Sequence, residues 1–561
     1  MERPIRIYLG GDALLTSLGY GTEENFHAFQ AGCCGLRPDA MLPKLPVAGR
    51  IDPARMQSLA IEGYTPLESA MIRCAETAAA ATGTDLAVEE CALIVSTTKG
   101  NIELLQSIPD VPAEAYLYTS AERVARRLGI RRRPTVISNA CISGVSALIV
   151  ARRMIRMGDC RHVMVVGGDL LTEFVAEGFL SFKSVSPGPC RPYDATAEHG
   201  LSLGEAVGAL LLTADPTKAR QPAVVLEGGA ITNDANHISG PSRTGDGLHY
   251  AIEEALAEAR ISREELSFAN AHGTGTAYND AMESKAFALS GLCDLPMNSL
   301  KGYIGHTLGA SGVVESILAA EQLRRGICLG TAGFAQSGTP CPLNAMAEHR
   351  PLAMCHALKT ASGFGGCNAA IVLGLESCVP DEHAPDMEHE ARIAAVYELP
   401  QGDRPFDEHI RALYKALDAP NMKFYKMDDL ARAGYVAAEY LLRGHALSER
   451  CLPTRIAVVL ENRSSSLDTD MAHQRIVNEH PAEGASPAVF VYTLPNVAAG
   501  EICIRHRIQG ENTFFIDDVP GTAERYARRL IARGTADAVI CGRCEYFAGH
   551  YDVRLTLLEK I

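Results

Sequence analysis

The chain has 561 residues, of which 47% are hydrophobic and 21% are charged, and its formal net charge is −15. This length and composition indicate a large core and more than one domain, and the negative charge disfavours nucleic-acid binding. No segment has about 18 consecutive apolar residues and the N-terminus lacks a signal-peptide core, so we expect a cytoplasmic protein without a membrane span. Its 17 cysteines should then be reduced thiols.

The first chemical motif surrounds Cys141. The β-branched run Thr135-Val136-Ile137 predicts a buried strand, and residues 145–155 predict a helix, so Cys141 should lie on a strand-to-helix turn. Amides and the dipole at a helix N-terminus favour a thiolate and can hold an oxyanion, so we expect a lowered pKa for Cys141. Gly144 should leave room for a bulky thioester. The alternative is a buried structural cysteine.

Two histidines follow, each in its own Gly-rich segment. His272 begins His272-Gly273-Thr274-Gly275-Thr276, and His306 lies within residues 301–312. The His272 segment has no helical or strand periodicity, and the glycines of both segments allow the backbone to approach a neighbour closely. A protease-like Cys/His pair needs only one histidine. Two histidines indicate a reaction in which a second thioester is polarised while the first waits on Cys141.

These segments resemble the β-ketoacyl synthases of the thiolase superfamily, over residues 1 to about 376. The matching motifs, in family order, are residues 140–144, 272–276, Lys301, 305–310 and Gly363-Phe364-Gly365-Gly366. Ser362 stands where fatty-acid elongating members usually carry phenylalanine. Residues 360–366 therefore look more like those of type II polyketide and aryl polyene ketosynthases.

The resemblance implies an α/β thiolase fold with five αβαβα layers. Residues 1–220 would form the half that carries the nucleophile, and residues 221–376 the half that carries the two histidines. Cys141 would take an acyl chain from an acyl carrier protein. The N–H groups of Cys141 and Phe364 would form the oxyanion hole, and Phe364 could be a gate.

In the condensation that the resemblance implies, His272 and His306 donate hydrogen bonds to the thioester oxygen of malonyl carrier protein. They stabilise the enolate that remains when carbon dioxide departs, and neutral histidines suffice for this. Lys301 and Glu315 would support the site. No metal and no resident cofactor are expected, because the substrates are carried on the phosphopantetheine of the carrier protein.

Such synthases dimerise through the strands near the nucleophile, so we expect a homodimer or a heterodimer with a synthase-like subunit. Two basic clusters are candidate docking surfaces for the acidic carrier: residues 131–133, and Arg152-Arg153 with Arg156. Such clusters are more often simply solvated. Cys541 and Cys544 have CxxC spacing, but no second pair completes a metal site.

Beyond a linker at residues 377–392, residues 393–561 resemble a repeat of the early part of the synthase. Residues 527–534 echo residues 151–158, which places Asp517 opposite Cys141. Asp cannot form the thioester, and no His-Gly-Thr or Gly-His-Thr motif follows. We therefore predict a degenerate half-synthase with an architectural role and strands at residues 456–460 and 488–492. The alternative is an unrelated small α/β domain.

The leading hypothesis is a β-ketoacyl synthase that performs decarboxylative Claisen condensation in a type II polyketide, aryl polyene or fatty-acid-like pathway. An acyltransferase or decarboxylase on the same scaffold is the second hypothesis, and retention of Cys141, His272 and His306 argues against it. A chain-length-factor-like or scaffolding subunit is the third. It predicts a replaced Cys141, whereas the cysteine is intact.

Overall fold

The structure is a computed structural model that describes residues 5–106, 111–379, 389–417, 421–480 and 484–561. We call residues 5–222 the first half, 223–379 the second half and 389–561 the tail. The first half contains β1 (Tyr8–Thr16), β2 (Gly19–Tyr20), α1 (Thr22–Gln30), β3 (Ala48–Gly49), α2 (Pro53–Leu59), α3 (Pro66–Thr82), β4 (Cys91–Ser96), α4 (Leu117–Leu128), β5 (Thr135–Ile137), α5 (Ser143–Arg156), β6 (His162–Asp169), α6 (Glu173–Ser181), β7 (Leu203–Gly204) and β8 (Ala206–Thr213).

The remaining elements belong to the second half and the tail. The second half contains β9 (Val224–Asn233), α7 (Asp246–Ala259), β10 (Leu266–Asn270), α8 (Ala277–Leu289), β11 (Met297–Asn298), α9 (Lys301–Ile304), α10 (Ser311–Arg325), β12 (Ile327–Cys328), β13 (Arg350–Pro351), β14 (His356–Gly363) and β15 (Cys367–Leu375). The tail contains β16 (Ala391–Glu398), α11 (Phe406–Lys415), α12 (Asp429–Leu441), α13 (Leu447–Arg450), β17 (Ile456–Asn462), α14 (Leu467–Glu479), α15 (Pro487–Val491), α16 (Asn496–His506), β18 (Asn512–Ile516), α17 (Thr522–Ala532), β19 (Ala538–Phe547) and β20 (His550–Lys560).

One path of hydrogen-bonded strands runs through all three parts. Its order is β11-β10-β14-β15-β9 in the second half, β1-β8-β6-β4-β5 in the first half and β18-β17-β19-β20-β16 in the tail. The sheets of the two halves are joined by the short antiparallel pairing of β1 with β9, at Tyr8 and Val225. The first half and the tail are joined by antiparallel pairing of β5 with β18.

Helices α5 and α10 lie between the sheets of the two halves and contact strands of both. Helix α3 covers the outer face of the first sheet, and α7 covers the outer face of the second. The strands are buried along nearly their whole length, as expected for sheets covered on both faces. This arrangement confirms the predicted five-layer α/β fold with an additional C-terminal α/β unit.

Counted outward from the β5–β18 junction, the strands of the tail follow the same order as those of the first half. Strand β17 takes the place of β4, β19 that of β6, and α17 that of α5. The predicted strand at residues 456–460 lies within β17. The predicted strand at residues 488–492 is wrong, because this apolar run forms helix α15 behind Pro487 at its first position. A short apolar run does not distinguish the two structures.

Two further expectations need correction. Strand β16 begins at Ala391, so the final residues of the predicted linker 377–392 are strand, while residues 380–388 lie outside the described residues. Cys355 and Cys378 form a disulfide, contrary to the expectation that all cysteines are thiols, and the other 15 are free. Within the described ranges, none of the helices combines the length and apolar character needed to cross a membrane.

Polar contacts hold the tail to the first half. The Asn139 side chain donates to the carbonyl of Asn512 at 2.8 Å and accepts from the N–H of Phe514 at 2.7 Å. Arg153 pairs with Glu511 at 2.7 Å, and Arg133 with Asp517 at 3.0 Å.

Burial excludes Arg152 and Arg153 as a docking surface, whereas Arg131 is exposed and the cluster at residues 131–133 stays a prediction. Arg152 and Arg153 are only 4% and 8% exposed. Arg152 pairs with Glu258, and Arg153 and Arg133 face the junction with the tail.

We predict that Asn139→Ala lowers the free energy of unfolding by about 2–4 kcal/mol, because it leaves a buried N–H and a buried carbonyl without partners. Chemical denaturation measures this loss. Asn512→Leu is the matched control, since the Asn512 side chain is buried on the same seam but has no hydrogen-bond partner. Equal losses in the two variants would contradict the conclusion that the Asn139 hydrogen bonds hold the tail to the first half.

Candidate active site

Cys141 lies on a single 3-10 turn, Ala140–Ile142, between β5 and α5. The predicted strand-to-helix turn and the helix after it are therefore confirmed. Gly144 has a different role from the one expected. A Cβ there would lie 2.6 Å from the amide nitrogen of Val313 and 2.8 Å from the Cα of Gly312. Gly144 thus allows α5 and α10 to touch, rather than making room for a thioester.

The backbone N–H groups of Cys141 and Phe364 lie close enough to the Cys141 thiol to act to lower its pKa. They are the two groups that the sequence assigned to an oxyanion hole. The expected lowering of the thiol pKa is wrong for the free protein. Burial raises the pKa of Cys141 to about 12, and the opposing effects of the Lys301 charge and of the two amides are smaller.

The His272 loop is wrapped around two buried carboxylates of α8. Glu283 accepts the N–H groups of His272 at 2.8 Å and of Gly273 at 2.7 Å. Asp280 accepts the N–H of Thr274 at 3.1 Å. Tyr193 donates its hydroxyl to Glu283 at 3.0 Å and its N–H to Asp280 at 2.7 Å. These bonds fix a backbone that has no regular structure of its own.

His306 and His272 meet edge to face, with ring centroids 5.2 Å apart. The Nδ1 atom of His306 accepts the N–H of Leu308 at 3.3 Å, so the proton of the neutral ring is on Nε2. Burial and then the charge of Lys301 lower the pKa of both histidines well below the usual value. Both rings are therefore neutral at pH 7, as predicted.

Lys301 and Glu315 belong to a buried group of three charges. Lys301 Nζ lies 2.7 Å from Glu315 Oε1 and donates to the carbonyl of His272 at 2.6 Å. Lys359 Nζ lies 2.6 Å from Glu315 Oε2. Burial acts to raise the pKa of Glu315, but the two ammonium groups outweigh it and lower the pKa. The cluster fixes the His272 turn through the bond from Lys301 to the His272 carbonyl.

The three predicted catalytic side chains line one cavity of about 530 Å³, which we call the mouth cavity. Phe364 lines it as well, next to Phe179 and Phe182 at ring-centroid distances of 6.2 and 5.5 Å. The turn after Phe364 has positive φ angles of 89° at Gly365 and 71° at Gly366, which glycine adopts without strain. The structure thus brings together every residue that the sequence assigned to the site.

Sequence reasoning missed several residues of the site. Lys359 sits in the apolar run of β14, and a charged residue inside a buried strand was the available signal. Asp280 and Glu283 recur at helical spacing after the His272 turn. Asn496 of the tail donates to the carbonyl of Phe364 at 2.8 Å, and no motif indicates it.

Cys541 and Cys544 point to opposite faces of β19. The Cys541 thiol lies near the charges of Glu524 and Arg528 on α17, whereas the Cys544 thiol donates to the carbonyl of Leu430 on α12 at 3.7 Å. The described residues contain no group of three side chains that could hold a metal ion.

Two family models match this chain, and together they cover about half of it. Residues 44–217 match the β-ketoacyl synthase N-terminal domain, and residues 223–335 match the β-ketoacyl synthase C-terminal domain. The chain is 30% identical over 288 residues to a putative mitochondrial 3-oxoacyl-[acyl-carrier-protein] synthase of Schizosaccharomyces pombe, covering 47% of this chain and 66% of the relative. It is 31% identical to a putative polyketide β-ketoacyl synthase 1 of Streptomyces cyaneus, covering 46% of this chain and 64% of the relative.

The matches thus span less than two thirds of the length of these relatives. Among solved structures, one described as PfaC keto synthase–chain length factor superposes with a TM-score of 0.78 at 15% identity. The superposition covers 99% of this chain and 78% of the other, so the likeness in fold includes the tail.

We predict that Glu315→Gln destabilises the protein by about 3–5 kcal/mol, because it leaves two buried ammonium groups without a carboxylate. Lys359→Met is the matched variant. It keeps the Lys301–Glu315 pair, so its loss should be clearly smaller. Urea denaturation at pH 7 measures the stability loss of each variant. An equal or larger loss in Lys359→Met would contradict the conclusion that Glu315 compensates both lysines.

Proposed function

The chain belongs to the β-ketoacyl synthase family, and we propose that it catalyses decarboxylative condensation of an acyl group on Cys141 with malonyl-[acyl carrier protein]. One observation carries the proposal. The N–H groups of Cys141 and Phe364 lie near the Cys141 thiol, and two neutral histidines, with rings 5.2 Å apart, line the same cavity. This provides one oxyanion site for the acyl-Cys and separate donors for a second thioester.

In the first step, the Cys141 sulfur attacks the thioester carbonyl of an acyl carrier protein. The N–H groups of Cys141 and Phe364 hold the oxyanion of the tetrahedral intermediate. The carbon–sulfur bond to the carrier then breaks, and the proton of the Cys141 thiol ends on the departing phosphopantetheine thiol. The net change is thioester exchange, and no oxidant or metal takes part.

In the second step, malonyl carrier protein occupies the mouth cavity. Its carboxylate leaves as carbon dioxide, and the electron pair of the broken bond forms an enolate. His272 and His306 donate hydrogen bonds to the enolate oxygen, and the carbanion attacks the acyl-Cys carbonyl. The carbon–sulfur bond to Cys141 breaks, the thiolate takes a proton from water, and a 3-oxoacyl carrier protein is released.

The proposed pathway is of the type II polyketide, aryl polyene or fatty-acid-like class, for which Ser362 is the supporting residue. The proposed partner is an acyl carrier protein, whose phosphopantetheine is the only prosthetic group that the reaction requires. The proposed compartment is the cytoplasm. The 15 free cysteines support it, whereas the Cys355–Cys378 disulfide is of a kind more typical of oxidising compartments.

The proposed role of the tail is that of a synthase-like partner within the same chain. The edge of β5, through which related synthases are expected to dimerise, is already paired with β18. At the tail position opposite Cys141, Asp517 accepts hydrogen bonds from Val519 and Thr522 at 3.0 and 2.7 Å, and contacts Arg133. The carboxylate of Asp517 is thus engaged in structural contacts, and we assign it no role in acyl transfer.

Incubation with an acyl carrier protein should add the mass of one acyl group to the protein, and Cys141→Ala should gain none. Intact-mass spectrometry measures the adduct. Cys33→Ala, which removes an exposed thiol, is the control and should still be acylated. An adduct of unchanged yield in Cys141→Ala would refute the nucleophile.

Replacing His272 or His306 by Ala should leave acylation of Cys141 largely intact but slow malonyl decarboxylation by about 100-fold or more, as loss of an oxyanion donor does. Release of carbon dioxide from malonyl carrier protein measures this step. His27→Ala, on the exposed face of α1, is the control. Acylation without any condensation in the unaltered protein would instead favour the acyltransferase hypothesis.

A further inference from the structure

One side chain of the tail is hydrogen-bonded to the segment that carries the second donor of the proposed oxyanion site. Asn496, the first residue of α16, donates its side-chain N–H to the carbonyl of Phe364 at 2.8 Å. A Cβ added to Gly363, the residue before Phe364, would lie 3.1 Å from the amide nitrogen of Cys141. The segment that Asn496 holds therefore lies directly against the nucleophile turn, although Asn496 itself is outside the lining of the mouth cavity.

Two glycines allow the first turn of α16 to reach this segment. Asn496 and Gly500 are four residues apart on the helix, so they lie on the same face. A Cβ at Gly365 would lie 2.5 Å from the side-chain nitrogen of Asn496, and a Cβ at Gly500 would lie 2.7 Å from the carbonyl oxygen of Gly365. A larger residue at either glycine would push α16 away and break the bond from Asn496.

The chain around Phe364 does not fix the orientation of its peptide groups by itself. Phe364 lies between two glycines, whose backbone has a wide range of allowed conformations. The next peptide is held by the second half, because Asn233 donates to the Gly365 carbonyl at 2.9 Å and the Gly365 N–H donates to the Ile238 carbonyl at 2.6 Å. The Phe364 carbonyl accepts the Asn496 amide and the thiol of Cys367, which is a weak donor, at 3.2 Å.

The Asn496 side chain stands in this place at a cost to stability. It is only 1% exposed, and its amide oxygen has no hydrogen-bond partner among the described residues. A buried polar atom without a partner lowers stability by the free energy of removing it from water. A leucine has a similar shape and would avoid this loss. The amide is therefore better explained by what its N–H does for the Phe364 peptide than by the stability of the contact.

We infer that Asn496 is a positioning residue for acyl transfer at Cys141, because it holds the Phe364 backbone in the orientation that presents the Phe364 N–H to the oxyanion. The inference rests on the proposed function and deepens it, since it assigns part of the support of the oxyanion site to the tail. The effect of Asn496 is transmitted through the backbone of one residue and not by contact with the substrate.

The test measures two rates on the same variants and so separates the two sites for negative charge. The first rate is acyl transfer to Cys141 from acetyl-loaded carrier protein, followed by intact-mass spectrometry. The second is release of carbon dioxide from malonyl carrier protein, for which His272 and His306 supply the donors. In Asn496→Leu, the kcat of acyl transfer should fall about 10-fold or more at unchanged KM, less than the roughly 100-fold that complete loss of an oxyanion donor causes. Decarboxylation should keep its rate.

Asn512→Leu is the matched control, because it makes the same substitution at a buried asparagine of the tail whose side chain has no hydrogen-bond partner among the described residues. It should leave both rates unchanged. Asn496→Ala removes the same donor and is too small to clash with Gly365, so it should give the same separation of rates should the leucine variant fail to fold. Urea denaturation should show no loss of stability in Asn496→Leu, since the amide oxygen without a partner is removed as well.

Two results would overturn the inference while leaving the proposed function intact. One is acyl transfer at the unaltered rate in both Asn496 variants. The other is an equal fall of both rates, which a merely structural role of Asn496 predicts. If no carrier protein acylates the unaltered protein, the acetyl group is supplied as its N-acetylcysteamine thioester, which bypasses carrier recognition. Labelling of Cys141 that is about 10-fold slower in Asn496→Leu would then support the inference, and absence of labelling in the unaltered protein would reject it together with the nucleophile.

Discussion

The antiparallel pairing of β5 with β18 is the contact on which the surroundings of Cys141 depend. Strand β5 leads directly into the nucleophile turn, so whatever occupies its free edge sets the position of that turn. Here the occupant is the chain itself, and Asn139, two residues before Cys141, forms hydrogen bonds to the backbone of Asn512 and Phe514. The same junction brings Asn496 within 2.8 Å of the Phe364 carbonyl. Both donors of the proposed oxyanion site therefore belong to segments that the tail contacts.

Burial shifts the pKa of the histidines and the pKa of the cysteine in opposite directions, and both shifts favour the uncharged form of the side chain. It lowers the pKa of His272 and His306, and it raises the pKa of Cys141 to about 12. The buried charges nearby include Lys301 and Lys359 on either side of Glu315, and Glu283 under the His272 turn. An uncharged site with oriented hydrogen-bond donors favours negative charge that develops during a reaction, because the donors need no reorganisation. Such an environment stabilises both the oxyanion and the enolate of the proposed reaction.

The fold class and the grouping of Cys141, His272 and His306 around one cavity could be predicted from the sequence because their signals are local. The turn at Cys141 and the glycines around His272 and His306 are short motifs whose chemistry needs no distant partner. Contacts between segments far apart in the sequence were not predictable. The Lys99–Asp470 pair joins residues separated by 371 positions, and neither carries a pattern. Local rules also failed where burial decides, as for the Cys141 pKa and for the helix at Pro487–Val491, whose apolar run fits either a strand or a buried helix.

Helices α5 and α17 occupy equivalent places in the repeated topology, and their different surfaces explain how one arrangement serves two roles. All residues of α5 are buried except Met154 and Arg156, because α5 packs between two sheets and against α10. Helix α17 buries a single face against its own sheet, and its other face carries charges such as the Glu524–Arg528 pair at 2.6 Å. A helix with one charged face is stable in contact with water and needs no second sheet above it. The tail can therefore pair with the β5 edge and place residues next to Cys141, although only one side of α17 is apolar.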